Sequence, residues 1–106
     1  MADNVAQLTE ANFDETVGTG ITLVDFWAPW CGPCQTQGSI IEGLAAEPAD
    51  GVAFAKLNVD EAQDLAVRFN VMSIPTLIIF NNGEEVERFI GLQDEAALQA
   101  ALDKVT

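Results

Sequence analysis

Asp25-Phe26-Trp27-Ala28-Pro29-Trp30-Cys31-Gly32-Pro33-Cys34 is the stretch that decides how this chain folds. Ile21-Thr22-Leu23-Val24 precedes it. Ile21 to Trp27 therefore predicts a strand buried on both faces, as central strands of parallel sheets are. The next helix begins around Cys31, carries Ile40, Ile41, Leu44 and Ala45 at helical spacing, and is stopped by Pro48. The two cysteines then stand at i and i+3 on one side of a first helical turn, close enough to bridge. Unpaired N–H groups and the helix dipole at that position favour a thiolate over a thiol. Lowering a thiol pKa from about 8.5 to about 7 raises the thiolate fraction at neutral pH from a few per cent to about half. Cys31, nearer the terminus and solvent, reads as the nucleophile, and Cys34, one turn in, as the more buried resolving thiol. Pro33 lacks an N–H, which costs nothing in a first turn. A purely stabilising disulfide is the weaker alternative. So short a loop removes little unfolded-state entropy, and a reducing cytosol would open it.

Outward from this segment, short apolar runs alternate with helical patterns, which predicts a layered α/β domain. Upstream, Val5 to Leu8 predicts a weaker first strand. Thr9 reads as the N-cap of a helix, with Leu8 and Phe13 as its hydrophobic staple, ending near Gly18 or Gly20. Downstream, Val52 to Val59 predicts a strong strand. Asp60 reads as the cap of a short helix with Ala62, Leu65, Ala66 and Phe69 on one side. Thr76 to Phe80, the turn Asn81-Asn82-Gly83, and Val86 to Ile90 form a hairpin signal. A last helix places Ala97, Leu98, Ala101, Leu102 and Val105 inward. The predicted order is β-α-β-α-β-α-β-β-α, in one domain spanning residues 1–106.

Composition narrows the chemistry. With 49% apolar residues among 106, a packed core is available, and disorder is excluded. The chain has two cysteines and no histidine. A structural zinc site needs four ligands, so none is expected, and imidazole-based hydrolase arrangements fail. No apolar run approaches the roughly 18 residues of a membrane span. Met1-Ala2-Asp3-Asn4 carries no basic patch and no following apolar block, so it does not read as a secretory leader. The expectation is a cytoplasmic monomer. Seventeen acidic residues stand against Lys56, Arg68, Arg88 and Lys104, a net charge of −13. Nucleic acid and anionic membranes should repel such a chain. The excess serves solubility, or else suits a salt-rich cytosol in which screening removes self-repulsion.

The segment Asp25 to Cys34 resembles the active site of the thioredoxin family, and three further segments match in order. These are Lys56-Leu57-Asn58-Val59-Asp60, Ile74-Pro75-Thr76, and the Asn82-Gly83 turn followed by Gly91. The resemblance covers essentially the whole chain. It implies a thioredoxin fold, a five-stranded mixed β-sheet flanked by four α-helices. It also implies reduction of disulfides in protein substrates, with no bound cofactor and electrons supplied by a thioredoxin reductase. Gly32-Pro33 between the cysteines is the reducing type.

The pattern alone leaves Asp25 either buried or reaching solvent at a sheet edge. The resemblance implies a buried general acid or base for Cys34, whose pKa burial should raise. Lys56 reads as an ordinary strand lysine; the resemblance brings it towards Asp25. An X-Pro bond is cis in only about 5–6% of folded cases, so the residues alone predict trans at Pro75. The resemblance implies cis, freeing the Ile74 backbone to pair with an extended substrate. Trp30, Gly32, Pro33, Ile74, Pro75 and Gly91 would together form a flat apolar substrate-binding patch around Cys31, with Trp27 beneath it. Four positions depart from the family pattern. Gln35 stands where Lys or Arg is usual, Ser39 (after Gly38) where a helix-kinking Pro is common, and Met72-Ser73 where Arg or Gly is common. They bear on rate and partner choice without removing a reacting group. Two competing readings are a binding partner that does not need its thiols and a reductase dedicated to one substrate.

Overall fold

The computed structural model describes residues 4–48 and 50–106; Met1, Ala2 and Asp3, which open the segment read for a leader, and Ala49 lie outside them. Its elements run β1 (Val5–Leu8), α1 (Phe13–Val17), β2 (Ile21–Trp27), α2 (Gly32–Ala46), β3 (Val52–Asn58), α3 (Gln63–Arg68), β4 (Thr76–Asn81), β5 (Glu84–Ile90) and α4 (Glu95–Val105). The strand order is β1-β3-β2-β4-β5, so β2 is central. β1, β3 and β2 pair parallel, while β4 pairs antiparallel with β2 and β5. The fold is the α/β arrangement expected: a five-stranded mixed sheet with four helices.

Alternation along β2 divides the core in two. Leu23 joins Ile41, Leu44 and Ala45 of α2 and Leu98, Ala101 and Leu102 of α4 on one face. Val24 and Phe26 join Phe13 and Val17 of α1 and Leu65 of α3 on the other. Asp25, two residues beyond Leu23, shares its side and so faces α2. Phe13, Phe69 and Phe80 pack tilted or edge to face, with centroids 5.2–5.6 Å apart.

Three local expectations shift. Thr9 does cap, but over an irregular turn: Thr9 N–H donates to Asn12 Oδ1 (2.7 Å) and Asn12 N–H to Thr9 Oγ1 (3.3 Å). The regular helix starts only at Phe13, with Asn12 as its N-cap. Asp60 does not cap α3. That helix begins at Gln63 after Ala62, because the Asp60 carboxylate is engaged elsewhere. The hairpin turn is Asn82-Gly83 alone, with φ of 51° and 87°. Both residues lie in the left-handed region that a two-residue type I′ turn requires, and Asn81 stays in β4.

Candidate active site

Cys31 ends the loop after β2 in extended backbone, φ −93° and ψ 111°, and serves as the N-cap of α2. Its Sγ is bonded to Cys34 Sγ, with the Cα atoms 5.3 Å apart. The Cys34 N–H donates to the same Cys31 Sγ at 3.2 Å, so the sulfur takes the place of a capping oxygen. Pro33 falls in the first turn, where its missing N–H is not needed. The helix runs unbroken through Gly38 and Ser39; Ser39 Oγ donates back to Gln35 O at 3.4 Å.

The two cysteines differ little in exposure, 5% for Cys31 and 3% for Cys34. The expected contrast in burial is therefore slight in the bridged state. What separates them is what each one faces. Cys31 Sγ lies 3.9 Å from the Ile74 carbonyl oxygen; a bridged sulfur carries no proton, so this is a contact rather than a hydrogen bond. Cys34 borders a cavity of about 190 Å3 shared with Asp25, Trp27, Gln35, Ser39, Glu42 and Lys56.

Asp25 is 2% exposed, which rules out the sheet-edge alternative. Desolvation pushes its carboxyl up from an ordinary 3.8 to about 7, and Lys56 pulls it partly back. Asp25 Oδ1 has no hydrogen-bond partner among the described residues. Lys56 stands beside Asp25 in the β2–β3 register and lines the same cavity. Its Nζ sits 5.2 Å from the centre of the Trp27 ring, a cation–π contact. The lysine is thus half-buried at the site rather than freely solvated.

On the other side of Cys31 lies a groove of about 520 Å3. Trp30 and Ile74 line it, joined by Val59 and by Ala66, Val67, Val71 and Met72. Trp30 is 71% exposed, yet its indole N–H donates to Asp60 Oδ2 at 3.0 Å, which holds the ring in place. The Ile74-Pro75 peptide is cis, in agreement with the resemblance and against the residues alone. Gly91 N–H donates to Pro75 O at 2.8 Å, bringing that glycine to the same segment. Gly32 and Pro33 are exposed at the head of α2 but do not line the groove. Pro75 is buried, and of the six residues expected in one flat patch only Trp30 and Ile74 line this groove, whose walls are α3 and the 71–74 segment. Sequence reasoning missed Asp60 as the Trp30 partner, since the two stand 30 positions apart and an exposed indole N–H can be satisfied by water. It also missed the α3 wall, whose residues read simply as core. Among the described residues no cluster of three or more His, Cys, Asp or Glu side chains converges as a metal would need. No helix among them is long and apolar enough to cross a membrane.

Comparison with known proteins agrees with this geometry. Residues 4–104 match the family described as Thioredoxin. The chain is similar to the thioredoxin of Staphylococcus haemolyticus (strain JCSC1435), at 45% identity over 100 residues, covering 94% of this chain and 96% of that protein. It is similar to the thioredoxin of Staphylococcus aureus (strain Mu50 / ATCC 700699) at 44% identity with the same coverage. Among solved structures, a mutant thioredoxin from Halobacterium salinarum NRC-1 superposes with a TM-score of 0.87 at 39% identity, covering 97% of this chain and 91% of that one. A bridged CxxC at the head of a helix, carried on a matching sheet and with kinship along nearly the whole chain, makes this protein a member of the thioredoxin family and a thiol–disulfide oxidoreductase that reduces protein disulfides.

Proposed function

We propose that the reduced form of this chain attacks protein disulfides through Cys31 and releases the product through Cys34, with Asp25 as the proton acceptor. The Cys31 thiolate attacks one sulfur of the substrate disulfide; a Cys31–substrate bond forms and the second substrate sulfur leaves as a thiolate. Cys34, deprotonated by Asp25, then attacks Cys31 Sγ. The Cys31–Cys34 bond forms, the mixed disulfide breaks, and two electrons have passed to the substrate. The observation that carries these roles is the cavity joining Cys34 to a buried carboxyl poised near neutrality. An acceptor with a pKa near the working pH is suited to both directions of transfer. Lys56 tunes that carboxyl from the neighbouring strand. The docking surface for an extended substrate segment runs from the Trp30–Ile74 trough past Gly32 and Pro33 at the head of α2 to Gly91, with the buried Pro75 beneath it.

A thioredoxin reductase returns the two electrons, and the chain itself holds no cofactor. It works as a single-domain monomer in the cytoplasm, where a reducing pool keeps the pair cycling. Its charge of −13 disfavours nucleic acid and anionic membranes as partners.

Trapping tests the assignment. Cys34→Ser incubated with a disulfide-bonded protein should accumulate a covalent complex through Cys31, visible on a non-reducing gel, whereas Cys31→Ser should not. Trapping by the Cys31→Ser variant instead would reverse the two roles. An activity that survives replacement of both cysteines by serine would favour the thiol-independent binding role.

A further inference from the structure

Gln37 is fully buried, and the dithiol chemistry does not use it. It lies one turn beyond Cys34 on α2, on the face that otherwise buries Ile41, Leu44 and Ala45. A neutral amide in such a place needs both its donor and its acceptor matched. One residue matches both. Gln37 Nε2 donates to Gln93 O at 3.1 Å, and Gln93 N–H donates to Gln37 Oε1 at 2.8 Å. The side-chain amide pairs with the backbone of residue 93 much as a neighbouring strand would.

Gln93 belongs to the 91–94 connection between β5 and α4, which has no regular structure of its own. The other end of that connection is fastened to Pro75 O through the Gly91 N–H. Gly91 adopts φ +95°, and a side chain there would meet open space. Residues 91–93 therefore run from the Pro75 segment beside Cys31 to the helix that carries Cys34. Ile90 and Leu92 flank Gly91 as exposed apolar side chains.

We propose that Gln37 is a positioning residue for substrate binding, its amide clamp on Gln93 setting the Gly91–Leu92 wall along which a protein substrate lies. This rests on the docking role given to Gly91 above. A merely architectural clamp would fix only the start of α4, whose cap, Asp94, adjoins Gln93 and accepts from Ala97 N–H at 2.8 Å.

The test mixes prereduced chain with excess insulin, or with a small aromatic disulfide, and follows a single turnover. Gln37→Leu should raise the insulin concentration at half-saturation about fivefold to tenfold, leaving the limiting rate and the small-disulfide rate within about twofold. Gln37→Glu adds a readout that packing does not move. As a protonated acid the glutamate both accepts from Gln93 N–H and donates to Gln93 O; as a carboxylate it can only accept. Its half-saturation, taken as a ratio to the parent chain at each pH, should be near one at about pH 6 and rise towards the leucine value by about pH 9. Taking the ratio cancels titration of Asp94 and of the catalytic groups. Half-saturation unchanged in Gln37→Leu, an equal loss on both substrates, or a pH-independent ratio for Gln37→Glu would each overturn the proposal. Should Gln37→Leu not fold, the Gln37→Glu ratio decides. A parent chain inert towards both disulfides would overturn the functional reading itself, a result seen before any variant is made.

Discussion

Asp25 concentrates the tension between stability and chemistry at a single residue. Its folded pKa is raised from 3.8 to about 7, so between those values the folded state holds a proton that the unfolded state has released. Stability attributable to Asp25 is intact below about pH 4, falls as pH rises, and is lost above about pH 7. At about 1.4 kcal/mol per pH unit, the full penalty is on the order of 4 kcal/mol for this nearly inaccessible side chain. Asp25→Asn or Asp25→Ala should abolish that slope. The urea midpoint difference from the parent chain should be small at acid pH and grow in the variant's favour towards pH 8. The same variants should reduce insulin more slowly at neutral pH; an unchanged turnover would remove Asp25 from the mechanism. At this scale the sequence was informative wherever a residue type was out of place. A carboxyl inside an apolar strand and paired cysteines at a helix start are anomalies that chemistry must explain. Gln37 was not legible, because a glutamine on a helix reads as a side chain facing water, and its partner is a backbone group 56 positions away.

Among the elements, boundaries rested on side-chain partners that periodicity does not report. β2 appeared with the bounds its apolar run predicts, since burial on both faces leaves an uninterrupted signal. α3 did not, because Asp60 accepts from a tryptophan 30 positions upstream instead of capping the helix that follows it. α4 does carry its own start signal in Asp94, whose Oδ1 accepts from Ala97 N–H. Asp94→Ala should lower stability by about 1 kcal/mol, measured as a fall in urea midpoint at constant slope. An undiminished midpoint would mean that the α2–α4 packing, rather than the cap, sets where this helix begins. The groove is a further example at this scale. Its α3 wall could not be read from residues that alternate between core and rim, since exposure there depends on where α3 sits over the sheet. Met72, 86% exposed, lines the trough as a flexible apolar side chain.

For the molecule as a whole, the charge excess is the property most open to measurement. Among the described residues, two of the four basic side chains form salt bridges: Arg68 with Asp14 at 2.9 Å and Arg88 with Glu85 at 2.8 Å. The net charge of −13 already counts all four cations, so repulsion should oppose the compact state at low ionic strength. Raising sodium chloride from about 0.01 M to about 1 M shortens the screening length from about 30 Å to about 3 Å. The thermal midpoint should climb over that range, and a midpoint indifferent to salt would remove self-repulsion as a term in this fold. A final consequence follows from the sulfur that caps α2. When the chain is reduced, the Cys31–Cys34 bond takes up two electrons and one proton, leaving a Cys31 thiolate and a Cys34 thiol. The Cys34 N–H, aimed at Cys31 Sγ in the bridged form, should then face a stronger, charged acceptor. Its nitrogen resonance should therefore differ between the two states, a built-in gauge of how much reducing power the population holds.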